Sequence, residues 1–315
     1  IFTLLSIVVY GVWKTKGANN LKSYLKGNND AKWWGIGISI MATQASAITF
    51  LSTPGQAYSD GMRFVQFYFG LPIAMIILSV TFLPIFYRLK VYTAYEYLET
   101  RFDLKTRTLA ALLFLIQRGL AAGITIYAPS IILSTLLNWN LTFTNIFIGF
   151  LVILYTVSGG TKAVTQTQKQ QMAVMMGGMI LAGFLLLNML PQNISFIDAM
   201  HVAGKMGKLN VINFDFNLSD RYNFWTGTTA ALFLFLSYFG TDQSQVQRYL
   251  SGKSLAQSRL GLIMNGILKI PMQLVILFIG VMVFVFYQFN TPPILFNKVE
   301  LNNVKNSIYS QQIDD

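Results

Sequence analysis

The chain has no cysteine and a single histidine, His201. Disulfide frameworks, thiol nucleophiles and cysteine zinc sites are thereby excluded, and a lone imidazole in a polar loop has no partner with which to share a metal. Charge is scarce as well. Asp, Glu, Lys and Arg make up 11% of the 315 residues, against about 25% in an ordinary soluble domain. Acids are the scarcest, 12 against 23 Lys and Arg, so the net charge is +11. A basic balance can signal nucleic acid, but only as a basic face on a soluble domain. Here the basic residues lie between apolar blocks, and no nucleic-acid partner is expected. An enzyme is not expected either. Catalysis needs paired carboxylates or a nucleophile with its base, yet Asp242 is the one acid inside an apolar run and no histidine lies in any.

What is present is long hydrophobic runs. Apolar residues make up 54% of the chain, in blocks that reach the roughly 20 residues a membrane-spanning helix needs. The pattern predicts spans near 1–13, 34–57, 64–87, 108–137, 142–157, 170–190, 224–246 and 260–288. Loops on alternate sides should then differ in Lys and Arg, because positive residues favour the inner side. One set carries fifteen, within 14–32, 88–107, 162–169 and 248–259; the other carries six, Arg63, Lys205, Lys208, Arg221, Lys298 and Lys305. That asymmetry predicts eight crossings with the first terminus outside. The first block starts without Met and reads as a clipped helix. Residues 191–223 read as an outer loop with a short surface helix near 197–206, and 289–315 as an outer loop with further spans expected beyond it.

Two spans are interrupted. The second crowds Ala42-Thr43-Gln44-Ala45-Ser46 into its middle, and the seventh passes from Phe239-Gly240 into Thr241-Asp242-Gln243-Ser244. Small polar residues at mid-depth permit unwinding, which frees carbonyls that only protein, water or an ion can satisfy in lipid. They equally permit close helix packing. Interrupted helices in corresponding positions of two halves point to a transporter binding site. Lys269 and Arg118 are the two basic residues within spans. Either could serve transport, snorkel, or pair with a carboxylate such as Asp242.

Several strings resemble the sodium:solute symporter family, which includes sodium–galactose, sialic acid, iodide and vitamin carriers. They are Phe82-Leu-Pro-Ile-Phe86, the run from Val91 to Phe102, Ile126-Tyr-Ala-Pro-Ser-Ile131, the Gly-Gly stretch from Tyr155 to Val164, and Asp242-Gln243 with Val246-Gln-Arg-Tyr-Leu250. The resemblance implies an all-α membrane protein with a five-plus-five inverted-repeat (LeuT-like) fold, incomplete here after the seventh core helix. Residues 1–13 would be a peripheral helix, 34–190 the first repeat, and 224–288 two helices of the second. It further implies sodium-coupled import of a small organic solute by alternating access, in a cell membrane. By resemblance, the backbone carbonyls of Ala42 and Ala45 would ligate sodium. Gln44, Ser46, Thr49, Phe64, Tyr68 and Lys269 would face the solute, and Tyr238 would form an inner gate. Gln168 stands where many members have an aspartate that serves a second sodium, so one sodium per cycle is expected. Phe235 replaces an asparagine that holds sugar in the galactose carrier, which argues against galactose. A passive channel and a proton-coupled carrier on the same helices are the alternatives.

Overall fold

The structure is a computed structural model that describes residues 29–292 except 218, together with Ser6, Val9, Tyr10, Trp13 and Leu25. The expected 1–13 span and the tail beyond 292 otherwise lie outside the described residues. Within them all regular structure is helical, apart from one isolated bridge between Ala31 and Gly252. The helices are α1 (Trp33–Gln44), α2 (Ala47–Asp60), a 3₁₀ segment (Gly61–Tyr68), α3 (Gly70–Val80), α4 (Phe82–Leu89) and α5 (Ala94–Arg101). They continue with α6 (Leu104–Leu137), α7 (Leu141–Asn188), α8 (Phe196–Lys205), α9 (Phe224–Gly240), α10 (Gln243–Leu250) and α11 (Leu255–Phe289).

Among the described residues, four stretches are long and apolar enough to cross a membrane: Thr49–Leu89, Leu104–Leu137, Ala163–Asn188 and Leu255–Phe289. Exposed apolar side chains on the helices confirm the solvent that composition implied. Leu120 and Phe233 are each 71% exposed and Ile146 67%, an apolar surface that water would not tolerate and lipid would. The short helix expected near 197–206 is α8, closed by a capping box in which Ser195 and Asp198 satisfy each other's backbone N–H.

One expectation is corrected. Residues 158–169 read as a loop between two spans, yet α7 runs through them and turns only at Gly160 (φ 56°, ψ −150°). That conformation is open to glycine and closed to residues with a Cβ, so a single residue makes the bend and the polar run after it stays helical.

The core is built around α11, which packs against α1, α2, α3 and the 3₁₀ segment. Glycines let the backbones close up, the usual device where lipid removes the hydrophobic drive between helices. A Cβ on Gly261 would stand 2.6 Å from Ile36 of α1, and one on Gly280 only 2.2 Å from the Pro54 carbonyl oxygen of α2. These two crossings fix a register. The residues from Gly261 to Gly280 run beside those from Ile36 to Pro54, so Lys269 lies level with the gap between α1 and α2. Gly280→Val should force α2 and α11 apart and cost about 1–3 kcal/mol, as overpacking does. Thermal unfolding in detergent should then shift to lower temperature, whereas Gly177→Val, where a Cβ meets nothing within 4 Å, should unfold like the parent.

Candidate functional site

Both interruptions foreseen in the sequence are present. α1 ends at Gln44, Ala45 (φ −86°, ψ 86°) is neither helical nor extended, Ser46 (φ −88°, ψ 173°) is extended, and α2 begins at Ala47. In a continuous helix each N–H bonds the carbonyl four residues back. The Ser46 N–H instead reaches Gln44 O at 3.2 Å, and the Thr49 N–H reaches Ser46 O at 3.0 Å. The carbonyls of Ala42 and Ala45 thereby lose the donors that helix would give them. Thr49 Oγ1 donates to Gln44 O at 3.4 Å, Ser46 makes no side-chain cap bond to α2, and the buried Gln44 Oε1 has no partner. Ala42 and Ala45 pack against Met172 and Met179 of α7 and Met272, Ile276 and Ile279 of α11.

α11 also carries Asn265, Lys269 and Gln273, four residues apart and each 0% exposed. Lys269 Nζ has no hydrogen-bond partner, and neither do Gln273 Oε1 and Nε2 or Asn265 Oδ1. The Asn265 amide nitrogen reaches only Met75 Sδ, at 3.7 Å. Lys269 Nζ sits 5.8 Å from the centre of the Tyr68 ring. Tyr68 meets Phe64 edge-on at 5.9 Å and stacks on Phe235 at 5.9 Å. Buried polar groups without partners are costly, and a fully buried ammonium facing only a ring is the costliest of these. Such a cluster suits a polar, negatively charged occupant.

The structure thus brings Phe64, Tyr68 and Lys269 together, and Gln44, Ser46 and Thr49 together with the carbonyls of Ala42 and Ala45. α11 touches both groups. Tyr238 stands apart: two rings, Phe235 and Phe239, separate it from Tyr68. Its hydroxyl accepts from Gln245 Nε2 at 2.8 Å. The Arg118 guanidinium lies 5.6 Å over its ring and pairs with Asp242, the carboxylate that sequence reading offered as a partner. Nearby, burial and the Asp242 carboxylate push the Tyr95 phenol up to about 12.

Sequence reading did not single out Asn265 or Gln273, although their four-residue spacing from Lys269 within an apolar run was available. It read Gln168 only as the loss of an aspartate. In the structure its amide is fully used: Oε1 accepts from Ser39 Oγ at 2.7 Å and Nε2 donates to Thr43 Oγ1 at 2.8 Å. Among the described residues no group of three or more His, Asp or Glu side chains could hold a metal. A cation at the gap therefore depends on neutral oxygens.

Comparison with known proteins gives the family. The sodium:solute symporter family model matches residues 24–304. The chain belongs to the sodium:solute symporter family. It is 32% identical over 280 residues to sodium-coupled monocarboxylate transporter 1 of Xenopus laevis, covering 84% of this chain and 43% of that protein. It is 29% identical over 306 residues to the human sodium/iodide cotransporter, covering 95% of this chain and 47% of that one. Among solved structures, a substrate-bound outward-open Na+-coupled sialic acid symporter aligns with a TM-score of 0.84 at 26% identity, over 91% of this chain and 60% of that one. The chain thus spans less than half the length of the curated relatives it matches. Family membership and the four apolar helices make it a multi-pass membrane protein.

Gln168→Leu should remove both inter-helix hydrogen bonds and leave the Ser39 hydroxyl without its acceptor, while Thr43 keeps its bond to the Ser39 carbonyl. A loss of about 1–3 kcal/mol is expected, read as a lower unfolding temperature for a folded, monodisperse variant.

Proposed function

We propose that the protein is a sodium-coupled symporter that imports a small organic anion by alternating access. The observation that carries this reading is the pair of diverted N–H groups at Ser46 and Thr49, which frees the carbonyls of Ala42 and Ala45. Free carbonyls in lipid need a partner, and a hard alkali cation takes oxygen ligands. Sodium bound there would steady the α1–α2 gap and hold Gln44, Ser46 and Thr49 in one arrangement. Solute would then meet a site whose ordering cost is already met, which is positive coupling; about 1–3 kcal/mol corresponds to roughly 5–150-fold in affinity.

The unpartnered Lys269 ammonium supports an anion over a neutral sugar, and relatives named for monocarboxylate, iodide and sialic acid transport agree. Phe64 and Tyr68 would flank the solute, with Gln273 completing the polar lining. Tyr238 would form the inner gate. The fold reading is the five-plus-five inverted repeat, with α1–α2 opening one half and α9–α10 the other. The bridge from Gln168 to Ser39 and Thr43 supports a single coupling sodium, because an amide that satisfies two hydroxyls leaves them no need of a second ion.

The test is uptake by the whole protein in proteoliposomes. A sodium gradient should drive accumulation of a short carboxylate above its equilibrium level. Equal uptake in sodium and choline would overturn the coupling, and equilibration without accumulation would favour a passive channel. Ser46→Ala and Thr49→Ala should weaken solute binding while sodium binding survives. Lys269→Met should abolish binding of carboxylates and leave the unfolding temperature equal or higher, since it removes a buried unpaired charge.

A further inference from the structure

We infer that Arg118 and Asp242 are positioning residues that hold Tyr238 across the inner exit, forming an ionic latch that must break for solute to leave. The inference rests on the transport reading above and on the assignment of Tyr238 as inner gate.

The case begins with where the two charges sit. Arg118 lies fourteen residues into α6, about 21 Å along it from its inner end at about 1.5 Å per residue. Asp242 lies in the break between α9 and α10 and is 8% exposed. α6 packs chiefly against α5 and α7, and Arg118 reaches from it to Asp242 in the break. A bond spanning two elements that otherwise barely meet can open without unpacking either of them.

The carboxylate is divided between two tasks. Asp242 Oδ1 caps α10 by accepting from the Ser244 N–H at 2.9 Å and from the Ser244 hydroxyl at 2.6 Å. Its other oxygen takes the Arg118 guanidinium. That guanidinium also covers the Tyr238 ring, while Gln245 holds the hydroxyl from the other side. The phenol is therefore gripped at its face and at its tip, and the grip on the face exists only while the ion pair is made. A second clasp lies alongside. Gln243, the first residue of α10, accepts from the Ala94 N–H at 2.9 Å and donates to the Tyr92 carbonyl at 3.3 Å, tying the start of α5 to the same break.

A paired arginine in a lipid-facing bundle is far cheaper than a lone one. Purely structural pairing and latching therefore predict different things for a variant with both charges removed. Structure alone would be satisfied by neutralising both residues, because no charge is left uncompensated. A latch would still be missing.

The experiment places a reporter cysteine at Ala231, a buried methyl two turns of α9 beyond Tyr238, in the whole protein with other cysteines removed. Proteoliposomes in sodium are labelled from the inner side with a membrane-impermeant maleimide. Arg118→Gln with Asp242→Asn should raise the labelling rate about tenfold, within the range a coupling free energy of ordinary size gives. The exchanged pair R118D/D242R should return it to within about twofold of the parent. Unchanged labelling in the neutral double variant overturns the latch. So does labelling that stays raised in the exchanged pair. If the double variant does not fold, Asp242→Asn alone, which keeps an oxygen for Ser244, is judged by the same two rates. Sodium-driven uptake by the parent, measured in the same vesicles, separates the two ideas. Its absence sinks the transport reading, and its presence with unchanged labelling sinks the latch alone.

Discussion

Everything in this molecule follows from one constraint: a backbone carbonyl in lipid must have a partner. A straight helix supplies that partner four residues on. At Ala45 and Ser46 the chain leaves helical geometry, two N–H groups turn to nearer carbonyls, and the carbonyls of Ala42 and Ala45 lose the donors a helix would give them. The gap can persist because α11 crosses tightly on either side of it, through Gly261 against Ile36 and Gly280 against Pro54. The scaffold is rigid above and below and polar in between.

That arrangement also explains why α11 carries its polar stripe. Asn265, Lys269 and Gln273 would be expensive on a lipid-facing helix. Inside the bundle they are fully buried, with Lys269 beside the Tyr68 ring and Asn265 beside Met75. Phe64, Tyr68 and Phe235 form an aromatic layer between the 3₁₀ segment and α9, and the ring series continues through Phe239 to Tyr238.

Much of this was legible in the sequence, for physical reasons. The break in α1–α2 shows as Ala-Thr-Gln-Ala-Ser where lipid would favour branched apolar residues, and the break after Gly240 shows as a glycine followed by a polar run. Lys269 was visible as a charge that an apolar run should not contain. Residues 158–169 misled because polarity was taken for loop. Their Lys, Ala and Gln residues form helix readily, Gly160 alone makes the bend, and Gln168 is spent on Ser39 and Thr43. The hydrogen bonds that Gln168 makes could not be read from one sequence, because they depend on how α7 meets α1. The register that sets Lys269 level with the gap was likewise hidden, since it comes from two glycine contacts between distant segments.

The central claim is that the freed carbonyls of Ala42 and Ala45 hold the coupling ion. A density map of the whole protein at near-atomic resolution, in sodium and again in choline, tests it most directly. The account predicts an unwound Ala45–Ser46 in sodium, with a peak within about 2.5 Å of both carbonyl oxygens, an ordinary distance for a hard cation on oxygen, and loss of that peak in choline. A continuous helix through Ala42–Thr49, with the Ser46 and Thr49 N–H groups bonded four residues back and no peak in either map, would contradict it.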